Sequence, residues 1–127
     1  IRRLWLKGDR AGTSDIFAEA LPGYPDGISR GPRGTFWVAL FTLRNSTADA
    51  LAASPFLTRL VWRLPTFLLP KPQSYGLVVE FDASGNPLRS FHDETGAHLT
   101  AITSVEEVAG SLYLGTLHAS QIGRLAL

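Results

Sequence analysis

Residues 21–40 read LPGYPDGISRGPRGTFWVAL. Its second half, GTFWVAL (34–40), is a glycine turn followed by an unbroken aromatic and aliphatic run, the pattern of a buried strand. The same order of features returns near the end of the chain. Gly34-Thr35-Phe36-Trp37-Val38-Ala39 aligns with Gly110-Ser111-Leu112-Tyr113-Leu114-Gly115, an offset of 76 residues. That period exceeds the ~40–45 residues of a four-stranded propeller blade, and removing one insertion, residues 42–74, brings it back near that length.

The flanking segments repeat in the same order. RRLWL (2–6) and SDIFAEA (14–20) read as two strands joined by a glycine-containing turn. A short strand from Gly27 to Arg30, the turn GPRG (31–34) and TFWVALF (35–41) come next. YGLVVEF (75–81), the turn DASGN (82–86) and PLRSFH (87–92) form a hairpin. AITSVEEV (101–108), SLYLGTL (111–117) and QIGRLAL (121–127) complete the chain.

The strands thus fall into groups of two, four and three, about two and a quarter blades, whereas a closed ring takes ~4–8 blades. The expectation is an all-β chain, residues 1–127, that forms the C-terminal part of a larger β-propeller with one short helical insertion. The rest of the ring would come from sequence outside this chain or from other chains. A stand-alone half-propeller that closes by oligomerising is the third option.

The insertion has its own character. In SPFLTRLVWRLP, Ser54 suits an N-cap and Pro55 the first helical position. Phe56, Leu57, Leu60, Val61 and Leu64 fall on one helical face, with Arg59 and Arg63 on the other. TFLLPKP then adds apolar residues. Two readings stay open: a helix packed on the sheet edge, or an apolar lid or membrane-surface contact through residues 55–70.

Composition excludes several classes. The chain is 45% hydrophobic and 18% charged, with net charge +1 and no cysteine. It is globular, offers no electrostatic reason for a nucleic-acid partner, and has no disulfide, thiolate metal site or cysteine nucleophile. IRRLWLKGD does not read as a signal peptide, and no apolar run reaches the ~20 residues that span a bilayer. Serine-elbow, two-histidine zinc and phosphate-loop motifs are missing from the sequence. Asn45-Ser46-Thr47 is a glycosylation sequon.

The residues able to carry chemistry are few. Asp26 lies in Pro-Asp-Gly, which is either a turn tripeptide or a carboxylate presented at a tunnel mouth. Thr103 and Ser104 hold the equivalent place one blade later, as strand hydroxyls or substrate contacts. Tyr24 either stacks on a ligand or covers the hairpin. His118, after YLGTL, is the first candidate general base and His98 the second.

Together, LPGYPDGISRGPRGTFWVAL, YGLVVEFDASGNPLRSFHDETG and ITSVEEVAGSLYLGTLHASQIGRLAL resemble the strictosidine synthase-like family, in the branch of adipocyte plasma membrane-associated protein. The resemblance implies a six-bladed propeller with a central tunnel, and a loop-fixing hydrogen bond at His92-Asp93. It further implies calcium in that tunnel, as in related paraoxonases and gluconolactonases, with Asp26 as a metal ligand by likeness to the gluconolactonase Pro-Asp-Gly segment. It implies an esterase or lactonase acting on small hydrophobic esters or lactones, or alternatively a non-catalytic, membrane-associated scaffold. Two departures matter. Gly27 stands where relatives usually carry Asn, and Thr103 stands at the place of the synthase glutamate. A hydroxyl cannot take a proton from an ammonium, so strictosidine synthase chemistry is not expected. The expected setting is secreted, periplasmic or membrane-anchored through a segment N-terminal to this chain.

Overall fold

The computed structural model describes residues 1–61, 63–65 and 74–127. The long apolar runs become the central strands, because each is covered on both faces. β4 (Phe36–Leu43) and β5 (Gly76–Phe81) pair in the middle of a four-stranded antiparallel sheet, between β3 (Gly23–Arg30) and β6 (Pro87–Asp93). All six residues of β5 are buried. Before this sheet comes the pair β1 (Arg2–Leu4) and β2 (Ser14–Ile16). After it comes the three-stranded sheet β7 (Ile102–Val108), β8 (Ser111–Thr116) and β9 (Gly123–Ala126). Both β3–β4 and β7–β8 turn on a glycine with positive φ, Gly34 at 75° and Gly110 at 74°, as the repeat requires.

Side chains alternate along β4 and β5 and so feed two separate cores. Val38, Leu40, Leu77, Val79 and Phe81 pack with Phe17, Ala18 and Leu21 from the segment after β2. Trp37, Ala39 and Val78 pack on the other face against Ile102, Val105, Leu112 and Leu114 of the three-stranded sheet. The middle sheet is therefore sandwiched between its sequence neighbours. Trp37 is fully buried, whereas Tyr113, its counterpart in the repeat, is 40% exposed on the outer face of the last sheet.

Two sequence expectations need correction. β3 begins at Gly23, not Gly27, so Tyr24, Pro25 and Asp26 lie inside the strand rather than in a turn before it. The strand tolerates Pro25 because β3 is an edge strand and needs one fewer donor. β2 is also short, ending at Ile16, and the chain after it packs into the core as irregular backbone.

The insertion holds two short helices rather than one, α1 (Ser46–Ala52) and α2 (Pro55–Val61). The unforeseen α1 is capped by Asn45, whose side chain accepts from the amides of Thr47 and Ala48. Ser54 does cap α2: its Oγ accepts from the Leu57 amide at 3.4 Å. Neither helix has a buried residue, and Phe56 is 75% and Leu60 52% exposed, so α2 is not packed on the sheet edge. The TFLLPKP stretch (66–72) and position 62 lie outside the described residues. No helix among the described residues is long and apolar enough to cross a membrane.

Candidate functional site

Strand direction gathers the candidate residues at one end of the sheets. Gly23, Leu43, Gly76 and Asp93 mark that end of the middle sheet by their pairing, and Ile102 with Thr116 marks it in the last sheet. Tyr24, Asp26, Thr103, Ser104, His98 and His118 all belong to segments at this end. The insertion leaves β4 and re-enters β5 there too.

At its centre, the starts of β3 and β7 touch. A Cβ built on Gly27 would lie 2.3 Å from the Thr103 carbonyl oxygen and 3.2 Å from the Ser104 Cα. Gly27 is therefore demanded by close backbone approach between two sheets. This gives the Gly27 departure a steric cause that the sequence alone did not reveal.

The pairing registers identify equivalent residues. Pro25 opposes Leu40 and Ile28 opposes Val38 on one sheet; Ile102 opposes Thr116 and Val105 opposes Leu114 on the next. Asp26 and Thr103 therefore occupy the same place on adjacent first strands. Each place coincides with a break in register, between Pro25 and Ile28 in β3 and between Ile102 and Ser104 in β7. Such irregularities re-aim side chains that regular alternation would place otherwise. Asp26 is exposed, Thr103 is half-buried, and the Thr103 hydroxyl donates to the Gly115 carbonyl at 3.4 Å. Ser104 packs over Gly115, where a Cβ would meet its Oγ at 2.3 Å.

Tyr24 is tied to the insertion. Its hydroxyl donates to Asp49 Oδ1 of α1 at 2.8 Å, and Arg44 lies over its ring while also pairing with Asp49. The bond to Asp49 raises the Tyr24 pKa, and the same bond is the main cause holding Asp49 below its ordinary value. Tyr24 thus anchors α1 to β3, a role outside the two readings open from sequence.

The histidines separate. His98 is highly exposed, with Nδ1 3.5 Å from Asp93 Oδ2. His118 is exposed in the loop after β8 and forms no hydrogen bond or ion pair with a described residue. Asp93 does fix its loop, accepting from the amides of Ala97, His98 and Leu99. Those of Leu99 and His98 contribute most to lowering its pKa to about 2. His92 takes no part in that loop. It bonds instead to Tyr75 and Ser90.

Sequence reasoning missed the charged cluster at the opposite end of the sheets. Buried Glu80 accepts from Thr35 Oγ1 at 2.7 Å and pairs with Arg89, and Arg33 reaches both Glu80 and Glu107. Burial is the largest single influence on Glu80 and opposes its ionisation. Thr35, Arg89 and Arg33 together outweigh it, and the pKa is lowered. Both glutamates sit in strands that read as apolar or alternating, so only pairing reveals their partners.

With respect to calcium, Asp26 is one carboxylate beside two hydroxyl-bearing residues. Among the described residues, no three His, Asp or Glu side chains come together as a metal-binding group.

The chain is similar to adipocyte plasma membrane-associated protein of Bos taurus, 37% identical over 134 residues that take in all of this chain and 32% of that protein. The Gallus gallus protein of the same name is 38% identical over 136 residues, again all of this chain and 32% of the relative. Strictosidine synthase-like protein 10 of Arabidopsis thaliana is 36% identical over 129 residues, 97% of this chain and 34% of the relative. No family model matches the chain. The chain spans about a third of the length of the curated relatives it matches. With an all-β chain of repeated antiparallel sheets matched throughout its length, these likenesses lead to one conclusion: the chain belongs to the strictosidine synthase-like family, in the branch of adipocyte plasma membrane-associated protein.

Proposed function

We propose that this chain is the C-terminal part of a six-bladed β-propeller and contributes one side of a tunnel mouth that hydrolyses small hydrophobic esters or lactones. The observation that carries this reading is the equivalence of Asp26 and Thr103 on neighbouring first strands whose backbones touch at Gly27. First strands that approach in this way are the geometry of adjacent blades around an axis. The apolar outer faces left at both ends of the stack, Leu4, Leu6 and Ile16 at one and Tyr113 and Val108 at the other, fit further blades on either side.

In this reading Asp26 faces the mouth, orienting substrate or serving as one calcium ligand, with the other donors supplied by the remaining blades. Thr103 and Ser104 line the substrate side. His118 or His98, in exposed loops at the same end, acts as general base on water. Condensation of an amine with an aldehyde is not proposed, because Thr103 offers no carboxylate. The test is aryl-ester hydrolysis by the full-length protein. Asp26→Asn and His118→Gln, with His98→Gln in parallel, should lower kcat/KM by about 100-fold or more where the residue acts in the reaction. Unchanged hydrolysis in all three would overturn the assignment, as would calcium addition that moves neither thermal stability nor rate.

A second reading, a non-catalytic scaffold that touches membranes, is favoured by α2. Phe56, Leu57, Leu60 and Leu64 are exposed, and Arg59 and Arg63 are the charged residues between positions 55 and 65. Such a helix suits an anionic membrane surface. Co-sedimentation of the full-length protein with anionic vesicles should fall on Phe56→Asp with Leu60→Asp; unaltered sedimentation would rule the contact out.

A further inference from the structure

A second group of reactive side chains lies away from the tunnel mouth, on the outer edge of the middle sheet. Ser90 and His92 are alternate residues of β6 and so share one face. His92 Nε2 is 2.8 Å from Ser90 Oγ, and His92 Nδ1 is 3.0 Å from the Tyr75 hydroxyl. The Tyr75 ring also meets the imidazole edge-on, with centroids 5.9 Å apart. Both imidazole nitrogens are therefore engaged, and the ring is held in place from two sides.

Ser90 and His92 line a cleft of about 380 Å³ between β5–β6 and residues 19–22. Its other walls include Leu21, Pro22, Leu77, Val79 and Leu88. Leu77 and Val79 are the cross-strand partners of His92 and Ser90, so the pair stands directly on the apolar floor. A hydroxyl bonded to an imidazole, itself oriented by a third group, is the arrangement that activates a serine nucleophile. β6 is an edge strand, so alternate backbone amides point away from β5 and are available to an oxyanion.

We infer that Ser90, His92 and Tyr75 form a nucleophilic serine site for aryl or short-chain acyl esters, distinct from the tunnel mouth. The tautomer that works carries its proton on Nδ1, donated to the Tyr75 oxygen, and leaves Nε2 to accept from Ser90. Ser90 Oγ bonds to the carbonyl carbon as its proton passes to Nε2 and the carbonyl electron pair moves to oxygen. Collapse breaks the ester C–O bond, and the leaving oxygen takes the proton from Nε2. Water, losing its proton to Nε2, then attacks the acyl-serine; carboxylic acid leaves and Ser90 regains its proton. Tyr75 is a positioning residue.

A fluorophosphonate probe tests this on the full-length protein. The Oγ–P bond forms, the P–F bond breaks, fluoride leaves, and the serine proton passes through His92 to solvent. Mass spectrometry should place the adduct on Ser90, and Ser90→Ala should abolish it. His92→Gln should slow labelling about 100-fold or more. Tyr75→Phe should lower the maximal labelling rate severalfold without changing the probe concentration that gives half of it. Thermal melting of each variant separates these effects from unfolding. An adduct on a different residue, no adduct, or labelling unaffected by His92→Gln in a folded protein would overturn the inference.

Discussion

Nε1 of Trp37 donates a 2.7 Å hydrogen bond to Oε2 of Glu107, a residue 70 positions away and on the neighbouring sheet. Trp37 is the largest fully buried side chain among the described residues, and its indole N–H is the one polar group it must satisfy. Arg33 reaches the other oxygen of Glu107 at 3.6 Å and Glu80 at 3.4 Å. Two sheets are thus joined by apolar packing with a charge-assisted hydrogen bond inside it.

Trp37→Phe keeps an aromatic ring but takes the donor from a buried carboxylate. It should destabilise the protein by about 1–3 kcal/mol, the cost of leaving such a group short of a partner. Adding Glu107→Gln should recover part of that loss, since an amide is less costly to leave unpaired than a charge. Chemical denaturation of the single and double variants measures the coupling, and strictly additive losses would contradict it.

Gly27→Ala places a methyl group against the Thr103 carbonyl oxygen, a backbone atom that cannot rotate away. Overpacking of this kind costs about 1–3 kcal/mol. Thermal unfolding should show the loss, and Gly27→Asn should behave no better. A fully stable Gly27→Asn variant would mean that the two strands part more easily than their contact indicates.

The acid limb of stability should carry the signature of Asp93. Its folded pKa of about 2 lies below the ordinary 3.8 because backbone amides favour the carboxylate. Its contribution is therefore fully present above about pH 4 and fades as pH falls through about 2. Asp93→Asn should lower the melting temperature at pH 6 and lose less than the parent between pH 4 and 2. Asp15, Asp49, Asp82 and Glu80 are also held below their ordinary values, and they act in both proteins, so the difference isolates Asp93.

Tyr24→Phe cuts the hydroxyl link between β3 and α1 while keeping the ring under Arg44. Global stability should fall by no more than about 1 kcal/mol, the worth of one hydrogen bond. Amide exchange in α1 should accelerate well beyond that in β4 or β5. Equal acceleration everywhere would show that the link serves the whole fold instead.

The grouping of strands into two, four and three was legible in the sequence, because glycine turns and apolar runs are local signals. The start of β3 was not, since Pro-Asp-Gly has turn chemistry and only the edge position of the strand lets it stay extended. α1 escaped notice because STADALA carries no apolar stripe, and its cap, Asn45, also begins a sequon. The end of the sheets that holds Asp26 and Thr103 follows from strand direction and was foreseeable. Trp37 with Glu107 was not, since it joins separate strands through packing, and neither was His92 with Tyr75, which joins β6 to the residue before β5.

The register breaks beside Asp26 and Thr103 have an evolutionary consequence. A regular strand offers no freedom: deleting one residue turns every later side chain to the opposite face. Here each first strand is already out of step at its opening, and the ladder from Ile28 or Val105 onward is anchored independently. A single-residue insertion or deletion ahead of those anchors would change which side chain stands at this place and leave the buried ladder intact. Relatives could thus exchange carboxylate, amide or hydroxyl at this spot by slippage as well as by substitution, and new chemistry could arise there without rebuilding the core.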